Sequence, residues 1–422
     1  MQAAVLRFAR EAEDEHLLLL ALFAFALLIR LVVIDRTIGF AAPGTLEPAA
    51  DSRIHLAIVQ SLLGGRGYGL EGHATAITPP LYIVFLAGLY RLFGSPAAVR
   101  VAQAAMGAGG CVLLYGIGRE IAGQATGRVA GILLGLHPLA AYLAGLHLTE
   151  NLFLFLLLVM LAQSLRVARR PAPLAAVGLG ALFGLATLTR AVFLGFLPFL
   201  LVWTIGLWGW RHPLGYRVFA LVALGALAVI APWTVRNAVA LGAFVPVQSN
   251  GGMVFWAGNN PRSDGQMVWP TAGTWSTGRP PDNGQYGWRG VGVVEENRRY
   301  VGAAVTWVRE HPRAYLRLLA RKLERLYGFA RAADPMEPSV PTVLVVFYTE
   351  VLVAALVGLV VTIRRWKAFS LLLGLIAFTN LTTLLFSGAT RYIAPMLPSL
   401  AVFAAAAVVA VWTGARRPLE HA

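Results

Sequence analysis

The sequence predicts an all-α polytopic membrane protein, and three observations predict it. Of the 422 residues, 58% are hydrophobic and 13% charged, where a soluble domain carries about 25% charged residues. The mean hydropathy is +0.67. Apolar stretches long enough to cross a hydrocarbon core about 30 Å thick recur along the chain, and α-helices cross such a core because they satisfy their own backbone hydrogen bonds. The single cysteine, Cys111, excludes an intramolecular disulfide. The net charge of +15 is almost all arginine, since Lys322 and Lys367 are the only lysines. In a membrane protein that balance points to loop topology and to anionic lipid or phosphate groups. The soluble basic face that nucleic acid would need is not found.

The N-terminus "MQAAVLRFAREAEDEH" is charged and amphipathic, and no small-residue cleavage site follows the apolar run, so residues 17 to 34 read as a retained first span. Further spans are expected at 99–118, 126–145, 150–166, 173–189, 192–208, 217–235, 341–363, 368–386 and 393–413, ten in all. With both termini in the cytoplasm, the arginines at 119, 128, 166, 169, 170, 211, 217, 364, 365, 416 and 417, with Lys367, all fall on the inner side. This assignment requires "PPLYIVFLAGLYRLFG", residues 79 to 94, to be interfacial or re-entrant. It divides the chain into an N-terminal transmembrane module, 1–235, an extracytoplasmic loop, 236–340, and C-terminal transmembrane helices, 341–422. Outside lie the first loop, 35–98, the "HLTEN" turn, 147–151, and the long loop.

The outward segments hold the polar content. In "EPAADSRIHLAIVQSLLGGRGYG", residues 47 to 69, Asp51 is a good helix N-cap, Ile54, Ile58 and Leu62 recur at helical spacing, and Gly64-Gly65 ends the run. Asp51 and Glu150 both lie at the expected outer surface. Glu350 is instead deep in the eighth span, where a charge costs about 2.5–3.5 kcal/mol on insertion scales, so it should be protonated, paired or facing a polar cavity. Residues 246 to 290 are rich in Gly, Pro, Asn and Trp. There Trp256, Asn259, Asn260, Trp269, Trp275 and Trp288 offer flat apolar faces and carboxamides suited to sugars; an aromatic belt at the membrane surface is the competing reading. A helix beginning at Pro312 carries Leu316, Leu319, Leu323 and Leu326 on one face and Arg313, Arg317, Arg321 and Arg325 on the other, the pattern of an interfacial helix. Asp51 with His55, and His147 with Glu150, stand one helical turn apart and could share a divalent ion if the loops meet, although no strong metal motif is present.

The ordered run "ADSRIHLAIVQSLLGGRGYG", "TPPLY", "LFGSPAAVRVAQ", "HLTENLFLFLLL", "LATLTR", "PWTVRNAVALGAFVPVQSNGGMVFWAGNNP", "HPRAYLRLLARKLERLYG" and "TRYIAPMLPSLAVFAA" resembles the bacterial family 39 glycosyltransferases of the C superfold. Protein O-mannosyltransferases and the enzymes that add aminoarabinose to lipid A are among their relatives. The resemblance covers nearly the whole chain and implies a bundle of about 10–12 transmembrane helices with juxtamembrane helices on the outer face. It further implies an inverting enzyme that moves a sugar from a polyprenyl-phosphate donor to a glycan, lipid or protein hydroxyl, outside a bacterial inner membrane.

By the same resemblance Asp51 is the general base, and Glu150 is the second outer-loop acid that orients it or binds substrate. Arg236, Arg391, Tyr392, Lys322 and Arg53 are candidates for the donor phosphate, with Arg190 a weaker one; arginine's fork suits phosphate oxygens. His55, Asn237, Trp256, Asn259 and Asn260 are candidates for sugar or acceptor. The leaving phosphate needs no general acid, so one base and cations suffice. A required metal is not expected. Thr78 stands where the aminoarabinose enzymes have a lysine, which argues against that donor. The alternative is a carrier or flippase for a lipid-linked sugar, but the two similar halves of such a carrier are not found.

Overall fold

Proline opens helix after helix in this chain, as its fixed φ and missing N–H suit a first turn. The structure, a computed structural model, describes residues 2–47, 49–268, 292–328 and 342–416. Its helices are α1 (Gln2–Thr37), α2 (Ala50–Leu63), α3 (Pro80–Phe93), α4 (Pro96–Ala122), α5 (Gln124–Leu136), α6 (Pro138–Leu143), α7 (Glu150–Arg169) and α8 (Pro173–Thr187). There follow α9 (Leu197–Trp208), α10 (Pro213–Leu241), α11 (Gly251–Ala257), α12 (Val293–Glu310), α13 (Pro312–Leu326), α14 (Thr342–Thr362), α15 (Trp366–Leu385) and α16 (Leu397–Arg416). One short antiparallel hairpin, Gly69–Leu70 with His73–Ala74, follows α2.

The chain is an all-α, multi-pass membrane protein. Seven helical stretches among the described residues are long and apolar enough to cross a membrane. One of them, Thr349–Leu385, joins most of α14 to α15 through a 3-10 turn at Ile363–Arg365. The expected span at 126–145 is not one continuous helix: α5 ends at Leu136 and α6 begins at Pro138. Proline disfavours helical geometry in the residue before it, and His137 accordingly sits at φ −64°, ψ 110°. The 14 residues of α3 extend only about 21 Å at 1.5 Å per residue, short of a hydrocarbon core.

Small residues bring the apolar helices together. A Cβ on Gly180 of α8 would lie 1.9 Å from the Val222 carbonyl oxygen of α10, and one on Gly225 of α10 would lie 2.1 Å from that of Val177. The two backbones therefore touch, which is how helices associate where no hydrophobic force separates them from lipid. A satellite core of Ile58, Val59, Tyr82, Ile83, Leu86, Val99 and Leu152 packs α2 and α3 onto α4 and α7. This places the start of α2 beside the start of α7.

Candidate active site

Four charged side chains from distant parts of the chain alternate in sign at one end of the bundle. Asp51 is the second residue of α2, Glu150 the first of α7, Arg190 follows α8, and Arg391 lies in the 3-10 segment Thr390–Met396 that leads into α16. Arg391 Nη2 donates to Asp51 Oδ2 at 2.8 Å, and its Nη1 lies 3.9 Å from Glu150 Oε1. Arg190 Nη1 pairs with the same Glu150 oxygen at 2.9 Å and reaches Thr149 Oγ1 at 3.2 Å. The Tyr392 hydroxyl stands 3.3 Å from Arg391 Nη2, and its ring lies under both guanidinium groups, at 5.6 Å from Arg190 and 5.1 Å from Arg391. The side chains of Glu150, Arg391 and Arg190 are 3%, 16% and 18% exposed, and that of Asp51 is 40% exposed. The quartet thus opens outward at Asp51.

Asp51 does not cap its helix. The N-cap is Ala49, which makes no side-chain cap bond. The Asp51 carboxylate turns instead to Arg391, while the neighbouring Ser52 hydroxyl donates to Glu47 at 2.8 Å. Enclosure raises the Asp51 pKa, but the charge of Arg391, with His55, the Arg391 hydrogen bond and Arg190 adding to it, holds the group below its ordinary value. His55 is buried, and burial keeps its pKa low against the opposing charge of Asp51. Its Nδ1 lies 2.8 Å from the His147 carbonyl oxygen, so Nδ1 carries the proton and Nε2 is the acceptor.

Beside the quartet lies a third acid that sequence reasoning missed. Glu47 is 4% exposed. Its Oε1 accepts from Arg100 Nη2 at 2.9 Å and His147 Nδ1 at 2.6 Å, and its Oε2 accepts from the His147 backbone N–H at 2.7 Å and from Ser52. Arg100 also donates to the carbonyls of Gly145, Phe40 and Ala42. Gln103, one turn on, donates to those of Ala144 and Leu146. The irregular backbone around α7's start is buried, and these α4 side chains satisfy the carbonyls that no helix does. The available signal was an arginine, Arg100, just inside an apolar span.

The other expected residues fall into three places. Arg53, on α2, is exposed near Asp51. Arg236 lies within α10, which runs on to Leu241, and donates to the carbonyls of Thr75 and Tyr68 at 2.6 and 2.5 Å, clamping the hairpin; Asn237 donates to Val245 at 3.0 Å. Lys322 Nζ is buried and donates to Asn259 Oδ1 at 2.8 Å and the Leu384 carbonyl at 2.9 Å. Asn259 in turn donates to the carbonyls of Phe255 and Leu385, and Asn260 to those of Trp256 and Ala257. Trp256 packs in a core with Met253 and Tyr300. Trp256, Asn259, Asn260 and Lys322 are therefore buried, the three polar side chains bonded within the scaffold and Trp256 packed in its core. A Cβ on Gly388 would lie 2.0 Å from the Lys322 carbonyl oxygen, so this scaffold seats the backbone leading to Arg391.

Glu350 is exposed on α14. Trp269, Trp275 and Trp288 lie outside the described residues. The loops of His55 and His147 do meet, but the His147 ring is engaged by Glu47 and, at Nε2, by the Tyr90 hydroxyl at 2.9 Å. Among the described residues no group of three or more His, Cys, Asp or Glu side chains is placed to hold a metal ion.

Residues 78–235 match the sequence profile of the dolichyl-phosphate-mannose-protein mannosyltransferase family. Comparison with curated proteins finds no match. Among solved structures, the oligosaccharyltransferase of Archaeoglobus fulgidus tethered to an acceptor peptide is similar at a TM-score of 0.56 and 13% identity, over 94% of this chain and 50% of that one. The same enzyme, AglB, with an inhibitory peptide and a dolichol-phosphate gives 0.55 and 12%, over 96% and 51%. ArnT from Cupriavidus metallidurans bound to undecaprenyl phosphate gives a lower 0.43 at 18% identity, over 94% and 79%. The chain spans about half the length of the oligosaccharyltransferase. The shared architecture is the glycosyltransferase C fold.

Proposed function

We infer that this chain, a membrane protein of the glycosyltransferase C fold related to the protein mannosyltransferases, transfers a sugar from a polyprenyl-phosphate donor to an acceptor hydroxyl. The observation that carries the reading is the pairing of an outward-opening carboxylate, Asp51, with the enclosed guanidinium of Arg391. A displacement at an anomeric carbon needs a base on one side and cations for the departing phosphate on the other. In this reading the acceptor oxygen attacks the anomeric carbon, its proton passes to Asp51, and the bond from that carbon to the phosphate oxygen breaks. The electron pair leaves on the polyprenyl phosphate, which Arg391, the Tyr392 hydroxyl and Arg53 receive. One displacement inverts the anomeric configuration. Glu150 holds Arg391 and Arg190 in place, and His55 offers Nε2 to a sugar or acceptor hydroxyl. Arg236, Asn237, Lys322, Asn259, Asn260 and Trp256 shape the site through the scaffold.

The distribution of arginines supports placing this site on the outer side of a bacterial inner membrane, with both termini in the cytoplasm. The test is transfer of radiolabelled sugar in proteoliposomes from a panel of polyprenyl-phosphate sugars. Turnover of a donor with inverted configuration in the product agrees with the reading. Transport of intact donor across the bilayer without turnover would make the chain a carrier instead.

A further inference from the structure

The resting quartet raises a question of charge. Asp51, Arg391, Glu150 and Arg190 sum to zero, so an arriving phosphodiester finds no spare cation among them. Arg190 is the less available, because Glu150 Oε1 at 2.9 Å and Thr149 at 3.2 Å hold it beside a carboxylate that is only 3% exposed. Arg391 is the more available. Its contact to Glu150 is long, at 3.9 Å, and its 2.8 Å bond goes to the most exposed member of the quartet.

The geometry points to an exchange: the phosphodiester of the donor takes Arg391 from Asp51, so that donor binding itself releases and strengthens the base. The idea rests on the transferase reading. In the resting state Arg391 neutralises the carboxylate and makes it a poor proton acceptor. Once a phosphate oxygen occupies the guanidinium fork, Asp51 loses its nearest counter-charge and gains an anion nearby. An arginine within about 4–6 Å lowers an aspartate by about 1–3 pKa units, and its loss reverses that. The other groups facing Asp51 act in fixed directions. His55 on α2 lowers the Asp51 pKa in the same direction as Arg391, Arg190 is held by Glu150, and Tyr392, beside Arg391, can follow the phosphate as a hydroxyl donor. The base is therefore weak without donor and competent with it, which limits protonation of the empty site.

The exchange is tested with the methyl diester of farnesyl phosphate, which keeps the diester charge of the donor, has no anomeric carbon to react and does not titrate near pH 5. Calorimetric binding to the full-length protein in detergent, in buffers of different ionisation enthalpy at pH 5, counts the protons taken up. The expected result is uptake of a fraction of a proton, on the order of 0.3–0.8 per diester, that disappears in Asp51→Asn. That variant should bind the diester as tightly as wild type or several-fold tighter, since Arg391 is already free; Asp51→Ser serves equally should the Asn variant not fold. Binding by wild type without proton uptake, or uptake that persists in both variants, would overturn the exchange and leave the transferase reading standing. Absence of diester binding by wild type and variants alike would overturn the donor site and the exchange together.

Discussion

Arg391 Nη2 donates a 2.8 Å hydrogen bond to Asp51 Oδ2, closing an ion pair between residues 340 positions apart. The contact joins the segment between the first two candidate membrane spans to the last of them, and it sets the expected behaviour of variants at both ends.

Arg391→Ala removes the cation on which phosphate and base both depend. kcat/KM should fall by about 10²–10³, the usual loss on deleting one preorganised donor at a developing charge. Arg391 holds Asp51 below its ordinary pKa, so wild type should keep its base ionised throughout the neutral range, with the acid limb of its kcat/KM profile below the ordinary aspartate value. In the variant that limb should move upward. The pH dependence of residual donor turnover checks both statements.

Glu47→Gln tests the buried support. Burial raises the Glu47 pKa, yet the hydrogen bonds and charge of His147, with Ser52, outweigh it and keep the carboxyl below its ordinary value. Its contribution to stability is therefore complete above the ordinary glutamate pKa and is lost as the pH falls through the lowered one. Replacing it leaves Arg100 buried without its counter-charge, a change that costs about 3–5 kcal/mol. Ser52→Ala removes one of the four bonds and should cost about 1 kcal/mol. Thermal unfolding of the two variants in detergent should rank them in that order.

Lys322 gives a signature on the alkaline side. Burial lowers its pKa from 10.5 to about 7, so between those values the unfolded chain binds the extra proton. Stability should then rise as the pH climbs from about 7 toward the ordinary lysine value. Lys322→Met should flatten that rise. Melting temperatures measured across this range decide the matter, and a wild-type curve already flat there would contradict the assignment.

Gly180 and Gly116 form a matched pair. A methyl group on Gly180 would sit 1.9 Å from the Val222 carbonyl oxygen, whereas one on Gly116 of α4 meets nothing within 4 Å. Gly180→Ala should force α8 and α10 apart and lower the melting temperature by several degrees, by roughly 1–3 kcal/mol as for other overpacked sites. Gly116→Ala should leave it unchanged or slightly higher.

The helices were legible in the sequence to the extent that their cause is local. Ile54, Ile58 and Leu62 with Gly64-Gly65 marked α2, Pro312 marked α13, and the lengths of the apolar runs marked the spans, because helical period, proline geometry and hydrocarbon thickness all act on neighbouring residues. Pro138 was equally visible, and the break it makes at His137 was passed over in favour of apolar length. The site was less legible. That Asp51 and Glu150 lie together follows from packing of α2 on α7, and no spacing reveals that Arg391 rather than a backbone N–H takes the Asp51 carboxylate. Glu47, lying in a loop with no periodic pattern, offered nothing to distinguish it from a solvated acid. Asn259, Asn260 and Trp256 have the composition of a sugar platform, but carboxamides also satisfy buried backbone carbonyls and indoles also fill cores, and here the two asparagines bond carbonyls while Trp256 packs with Met253 and Tyr300.

The most direct measurement is single-turnover release of polyprenyl phosphate from a labelled donor by wild type and Asp51→Asn, with donor binding measured on the same preparations. The account predicts that the variant binds donor at least as well as wild type and releases phosphate about 10²–10⁴ times more slowly, the range for loss of a general base. Release at the wild-type rate by the Asn variant, with binding intact, would contradict the assignment of Asp51 as the base.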